Sequence, residues 1–527
     1  MKNLLMSFFR RRFFQKSILI LATFLITLSA LLTLNKEPKI VNKLSSIINN
    51  IPQRISTTQR VIKFSLIPSI SVNPTNGVNN SPVKPIRSAV ATGPLRVNPA
   101  NSRYFMDSSG RTIFLAGSHT WDNRQDIGNN VFDYLRYLTL LQQYNHNFIR
   151  LWVFEQPKGI TSWPDPAKAM DTLTPELFVR SGPGMAADGG LKFDLTRFNP
   201  VHFDRLRQRI IEAGNRGIYT SVMLFDGWSI ELKAGGANPW KYHPFNRHNN
   251  INGIDGDPNN DQSGAETHTL QVPVITQAQE AYVRQVIDTV NDLDNVLYEI
   301  SNESNPDSQD WQYQMIAYIK AYEATKPKQH PLGMTAPFPK GSNDSLFNSP
   351  ADWIAPSEEG GYKDNPPIAT GKKVIISDTD HLWGIGGDRA WAWKSFTRGL
   401  NLLYMDPWDG QFIPVKPDSD LRANLGYILS FATRMNLSAM APRDDLSSTG
   451  YCLANPISKN PEYLIYSPSG GKVTVDLSAA KEDIAVEWFN PNSGVVTSGI
   501  NTSGGGNRTF IPPFDGDAVL YIHSSPT

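Results

Sequence analysis

Asn295-Val-Leu-Tyr-Glu-Ile-Ser-Asn-Glu303 is the stretch that decides the fold. Val296, Leu297, Tyr298 and Ile300 form a short apolar run, and Asn305-Pro306 stops it. Such a run reads as a buried parallel strand, here ending on Ser301-Asn302-Glu303. An amide beside a carboxylate at the carboxyl end of a barrel strand suits a general acid. A polar turn closing an ordinary strand looks the same, so the neighbouring segments must decide.

Those segments alternate. Strand patterns are read at Leu115–Trp121, Asn147–Phe154, Ile218–Phe225, Asn295–Glu303, Pro331–Phe338, Asp352–Ser357, Lys373–Ser377 and Asn401–Met405. Helical patterns stand between most of them, at Asp133–Tyr144, Pro200–Arg216, Thr276–Leu293, Asp310–Thr325 and Gly387–Arg398, with Asp420–Asn436 last. Eight strands, mostly with helices between them, predict a (β/α)8 TIM barrel of the α/β class over residues 95–450. No Gly-rich phosphate loop follows the first strand, which disfavours a doubly wound sheet.

Barrel sites lie where the strands end. The residues there are His119, Trp121, Arg150, Trp152, Asp226, Trp228, Asn302, Glu303, Glu358, Glu359, Asp378, Asp380, His381, Trp383, Asp406 and Trp408. Carboxylates, histidines and tryptophans thus gather at one rim. Asp378 and Asp380, two residues apart, are expected on one strand face. Paired carboxylates on barrel strands are the apparatus of glycoside hydrolysis. All tryptophans but Trp488 precede residue 451, and flat rings at strand ends suit the apolar face of a sugar. Trp121, Trp152, Trp228, Trp383 and Trp408 are the candidates for stacking, with His119, Asp226 and His381 for hydroxyl binding.

Three segments carry a family resemblance. Asn147-Phe-Ile-Arg-Leu-Trp152, Tyr298-Glu-Ile-Ser-Asn-Glu303 and Val374-Ile-Ile-Ser-Asp378 resemble strands two, four and seven of the clan A, cellulase-like glycoside hydrolases. The resemblance implies a retaining two-carboxylate hydrolase. It puts the acid/base on Glu303, the 2-hydroxyl contact on Asn302 and the nucleophile's arginine on Arg150. The clan's nucleophile is a Glu ending strand seven. Here the matching position is Asp378, with Asp380 as the second choice and Glu358 or Glu359 as alternatives elsewhere. Asp is one methylene shorter than Glu, so the carboxylate separation, and with it retention or inversion, stays open. A non-catalytic glycan-binding or adhesion protein on a degenerate barrel is the competing expectation.

Asp255-Gly-Asp-Pro-Asn-Asn-Asp261 continues to Glu266. Oxygen donors at Asp255, Asp257, Asn259, Asp261 and Glu266 have the spacing of a calcium loop, although Asn260 stands where Gly is usual. A structural calcium is one reading of this spacing, and a solvated, turn-rich loop at the barrel mouth is the other. The chemistry itself is expected to need no cofactor.

Residues 451–527 turn β-rich. Tyr463–Tyr466, Lys472–Leu477, Ile484–Phe489 and Ala518–Ile522 are short alternating strands, predicting a small antiparallel β-sandwich. It resembles a collagen-binding-type module that follows such barrels. A carbohydrate-binding or packing role fits its residues as well.

At the other end, Arg10-Arg-Arg12 and Lys16 in a basic tail (1–16) precede the uncharged run 17–34, near the minimum for a spanning helix. The basic flank predicts a cytoplasmic N-terminus and a membrane anchor, with the remainder outside the cytoplasm, periplasmic or at the cell surface. A cleaved signal peptide and secretion is the rival reading. Residues 35–94, rich in Asn, Ser and Pro, read as a flexible linker. The chain has 527 residues and a formal net charge of +1, so bulk charge gives no support for a nucleic-acid partner. Its single cysteine, Cys452, excludes an intramolecular disulfide and reads as a core residue.

Overall fold

The computed structural model describes residues 80–82, 90–408, 418–457 and 459–524. The expected anchor, 17–34, and most of the linker lie outside these residues. Among the described residues no helix is long and apolar enough to cross a membrane.

Eight parallel strands close a barrel. They are β1 Ala116–His119, β2 Phe148–Leu151, β3 Tyr219–Asp226, β4 Val296–Asn302, β5 Leu332–Thr335, β6 Trp353–Ala355, β7 Val374–Asp378 and β8 Asn401–Met405. All eight match expected segments. Closure is tight between β1 and β2, which pair at Gly117 and Phe148. A Cβ on Gly117 would lie 1.8 Å from the Phe148 carbonyl oxygen, so only glycine fits there.

The helices are α1 Tyr134–Gln143, α2 Pro200–Gly214, α3 Pro273–Val290, α4 Gln309–Glu323, α5 Asn343–Asn348, α6 Asp380–Trp383, α7 Arg389–Thr397 and α8 Asp418–Arg434. Their starts are chemically marked. Asp133 accepts the Arg136 N–H at 3.0 Å, and Asp388 accepts the Trp391 N–H at 2.8 Å. Asn199 caps α2, whose first residue is Pro200. Leu138, Ile210, Val286, Met315, Phe396 and Leu425 pack the helices onto the outer strand faces.

The strand interior is layered, because alternate residues share a face. Phe148, Tyr219, Leu297, Trp353, Val374 and Leu403 form an apolar plug, with Leu95 and Phe105, from the segment ahead of β1, packed against it. One step further along the same faces come Arg150 and Glu299. Register places Ser221 beside Arg150 and Asp226 beside Asn302, so polar groups meet at the strand ends.

Two features went unread in the sequence. Phe178–Met185 and Leu191–Phe198 form an antiparallel hairpin between β2 and α2. Gly182, Pro183 and Gly184 interrupt its alternation. The C-terminal sheet also extends beyond residues 451–527, taking in Ala441–Pro442 and, from the linker, Asn80–Pro82, which pairs with Val495–Ser498. Pro82 is tolerated there because that strand is at the sheet's edge.

This eight-stranded sheet and the two-stranded pair Val473–Asp476 and Asn507–Phe510 make up the sandwich. Its core holds Cys452, Ile465, Val475, Trp488 and Leu520. Cys452 is fully buried, as expected. The opposite sheet face packs on the barrel helices: Phe489 sits 5.7 Å from Trp393 and 5.4 Å from Phe431 between ring centroids. Arg389 adds ion pairs to Asp517 at 2.9 Å and to Asp420 at 3.2 Å.

Candidate active site

The carboxyl ends of the strands surround a cleft of about 710 Å³. Trp121, Trp152, Trp228 and Trp383 line it, as do Glu303, Asp380 and His381. Phe154, Ile160, Phe338 and Leu382 add apolar wall, and Lys340, Glu358, Glu359 and Lys363 add charge. Glu359 is tied down, accepting the Asn343 N–H at 2.6 Å. Glu358 is exposed and pairs with Lys363 at 3.3 Å.

Glu303 follows the last residue of β4. Trp228 Nε1 donates to its Oε2 at 2.5 Å. Burial pushes the Glu303 carboxyl up to about 7, against the opposing pull of the Trp228 hydrogen bond, Lys233 and Arg150. Its backbone is left-handed, with φ +44°, an uncommon conformation for a residue other than glycine.

Asp378 and Asp380 do not share a strand face. β7 ends at Asp378, Thr379 already has helical angles, and Asp380 opens α6. The turn separates the two carboxylates. Asp378 lies beneath the cleft, where it takes hydrogen bonds from the Asp380 N–H at 3.0 Å and from His119 Nε2 at 3.1 Å. Arg150 Nη1 is 3.6 Å from its other oxygen. Burial alone would raise Asp378, but His119 and Arg150 outweigh it and hold the carboxyl well below its usual range. Asp380 faces the cleft. Burial, then repulsion from Glu303 and from Asp378, pushes it well above the usual carboxylate range.

Arg150 organises this floor. Its Nη1 donates to Asp380 Oδ2 at 3.2 Å and its Nη2 to Asn302 Oδ1 at 2.8 Å. Nε donates to Glu299 Oε2 at 2.8 Å, and Nη2 also bonds Glu299 Oε1. Glu299 was not among the expected site residues. The signal was its parity: it shares a strand face with Leu297 and Ser301, so it points into the barrel.

The remaining expected residues divide. Asn302 joins the floor, donating to Asp226 Oδ1 at 3.2 Å, and His381 Nε2 lies 3.2 Å from Asn302 Oδ1. Burial takes His381 down to about 3, so its imidazole is neutral and donates through Nε2. Three expected substrate contacts do not reach the cleft. His119 is enclosed under Trp152, with ring centroids 6.0 Å apart. Asp226 is fully buried, its oxygens engaged by Ser229, Asn302 and the Trp228 N–H, and burial raises it to about 7. Trp408 packs into the core against Tyr137 and Phe132, at 5.0 and 5.2 Å.

In the acidic loop, Asp257 accepts the Asp261 N–H at 2.9 Å and the Gln262 N–H at 3.0 Å. The Asn259 amide bridges Asp261 and Glu266, and Asp255 lies 3.5 Å from Arg247. Backbone and amide donors thus engage several of these oxygens, while Glu266 Oε2 is buried with no hydrogen-bond partner among the described residues. Among the described residues, the acidic and histidine ligand atoms that converge on one point belong to Asp378, Asp380 and His381, where Arg150 already supplies positive charge.

Comparison with solved structures settles the architecture. A family 5 glycoside hydrolase from Bacteroides vulgatus superposes with a TM-score of 0.54 at 13% identity, over 82% of this chain and 93% of that one. The chain shares its fold with glycoside hydrolase family 5. A second structure, named simply glycoside hydrolase, gives 0.53 at 14% identity over 83% and 99%. Residues 445–522 match the family model "Putative collagen-binding domain of a collagenase". Residues 173–352 match a domain of unknown function, DUF6298. No curated protein matches the sequence.

Proposed function

We propose that the protein hydrolyses O-glycosidic bonds in an oligo- or polysaccharide with retention, using Glu303 as acid/base and Asp380 as nucleophile. One observation carries this reading: the buried Glu303 carboxyl and the partly buried Asp380 carboxyl face one aromatic cleft, and Arg150 contacts Asp380. The fold shared with glycoside hydrolases agrees with it.

Arg150 opposes the upward push on Asp380 and favours its ionised form, while Glu303 carries the proton. Glu303 passes it to the glycosidic oxygen as Asp380 bonds to the anomeric carbon and the leaving group departs. Water then loses a proton to Glu303 and adds to that carbon, freeing the Asp380 carboxylate. Retention needs the carboxyls close together, and Asp380 lies near enough to feel the Glu303 charge. Asp378 is in this scheme a support, fixing Asp380 through its N–H. Trp121, Trp152, Trp228 and Trp383 stack the sugars.

We also propose that residues 17–34 tether the enzyme to a membrane with its barrel outside the cytoplasm, on the strength of the basic flank and apolar run. Protease accessibility in intact cells tests this placement.

The enzyme reading is tested on a glycan panel with wild type, Glu303→Gln, Asp380→Asn and Asp378→Asn. The expected result is cleavage by wild type, a loss of about 10³-fold or more in the first two variants and a smaller loss in the third. The product should keep the substrate's anomeric configuration. Binding without turnover by wild type across the panel would instead support a glycan-binding protein.

A further inference from the structure

Lys233 lies in the loop after β3 with only 2% of its side chain exposed. Its ammonium donates to the Glu303 carbonyl at 2.8 Å and to the Phe338 carbonyl at 2.5 Å. It also pairs with Glu231 Oε1 at 2.7 Å. Two of its N–H donors are thus taken by backbone carbonyls, and Glu231 balances its charge. Those oxygens belong to the loops after β3, β4 and β5. We infer that Lys233 is the positioning residue for the acid, fastening these three loops into one unit around Glu303. This inference rests on the acid/base role proposed for Glu303.

Three further observations converge on it. Glu303 is left-handed, and a glutamate stays in that conformation only when its surroundings hold it. The carbonyl that Lys233 grips is also closely crowded: a Cβ on Gly227 would come within 2.4 Å of it. Finally, Phe338 stacks on Trp228 at 5.6 Å, and Trp228 donates to the Glu303 carboxyl. Lys233 therefore controls both the backbone of Glu303 and the indole that orients its side chain. The charges facing Glu303 are Lys233 and Arg150 on one side of the balance and Asp226 and Asp380 on the other. Removing Lys233 shifts that balance toward the protonated acid.

The test uses the full-length protein with Lys233→Met and Lys233→Arg, each checked for folding by thermal melting. The Glu303 carboxyl is followed by ¹³C NMR after glutamate labelling, its signal assigned by its loss in Glu303→Gln. In Lys233→Met the titration should move to higher pH by about half a unit or more. In Lys233→Arg it should stay near wild type. Two aryl glycosides of the sugar that the panel selects provide the kinetic arm. With a poor leaving group, both variants should lose kcat/KM, by about tenfold in Lys233→Met. With 2,4-dinitrophenolate, which departs without a proton, the loss should nearly vanish. A purely structural role would depress both substrates alike. An unmoved Glu303 titration in Lys233→Met, or equal losses on both glycosides, overturns the inference. If Lys233→Met does not fold, the leaving-group contrast in Lys233→Arg decides. If no glycoside is turned over, the hydrolase reading fails while the NMR arm still decides the role of Lys233.

Discussion

Arg150 Nη1 stands 3.2 Å from Asp380 Oδ2 while Glu299 holds the other edge of the same guanidinium. The arginine is thereby fixed before it meets the proposed nucleophile. Glu299→Gln breaks a fully buried pair and leaves Arg150 with only its contacts to Asp378, Asp380 and Asn302. It should cost on the order of 3 kcal/mol of unfolding free energy by urea titration. Stability within a few tenths of wild type would show that Arg150 finds another partner.

Asp380 and Asp378 can be separated by chemical rescue. Asp380→Gly opens space at the cleft, so azide should restore turnover and yield a glycosyl azide of inverted anomeric configuration. Asp378→Gly, below the cleft, should not respond. Rescue confined to Asp378→Gly would move the nucleophile there.

Activity should fall as Glu303 loses its proton. Burial places that loss at about pH 7, so kcat/KM is expected to decline above neutrality. A profile flat from pH 5 to 9 on a substrate with a poor leaving group would argue against Glu303 as the acid.

Asp226 makes a linkage prediction. Its folded value, about 7, lies above its ordinary 3.8 because of burial. The native state therefore binds the proton more tightly than the unfolded chain, and stability is lost as pH rises between these values. Asp226→Asn should remove this share of the pH dependence. Between pH 5 and 8 it should lose less stability than wild type, by on the order of 2 kcal/mol. Parallel curves for the two proteins would refute the assignment.

Phe489 tests the union of sandwich and barrel. It is buried among Trp393, Tyr427 and Phe431. Phe489→Ala should cost roughly 3–5 kcal/mol. One cooperative melt is expected, with the glycan-cleaving activity and the sandwich signal lost together.

The barrel was legible because each strand is an apolar run with its own boundary, and strand ends are where this fold keeps its chemistry. Glu303, Asn302 and Arg150 followed from that geometry and from the family resemblance. Glu299 needed a further step, applying strand parity to a charged residue inside a buried run. The placing of Asp380 was not legible, because the switch from strand to helix at Thr379 leaves no pattern in four residues. Trp408 illustrates the complementary failure. A tryptophan at a strand end can face the cleft or the helices, and composition does not separate the two. Asn80–Pro82 went unread because a three-residue edge strand containing proline carries almost no periodic signal.

Cys452 is the chain's single thiol, enclosed in the sandwich core and pushed up by burial. A thiol-reactive dye can modify it only when that core opens. Its labelling rate under native conditions is thus a built-in clock for sandwich opening, available without introducing or removing any cysteine. Comparing that rate with the loss of glycan cleavage during thermal inactivation would show which part of the molecule gives way first.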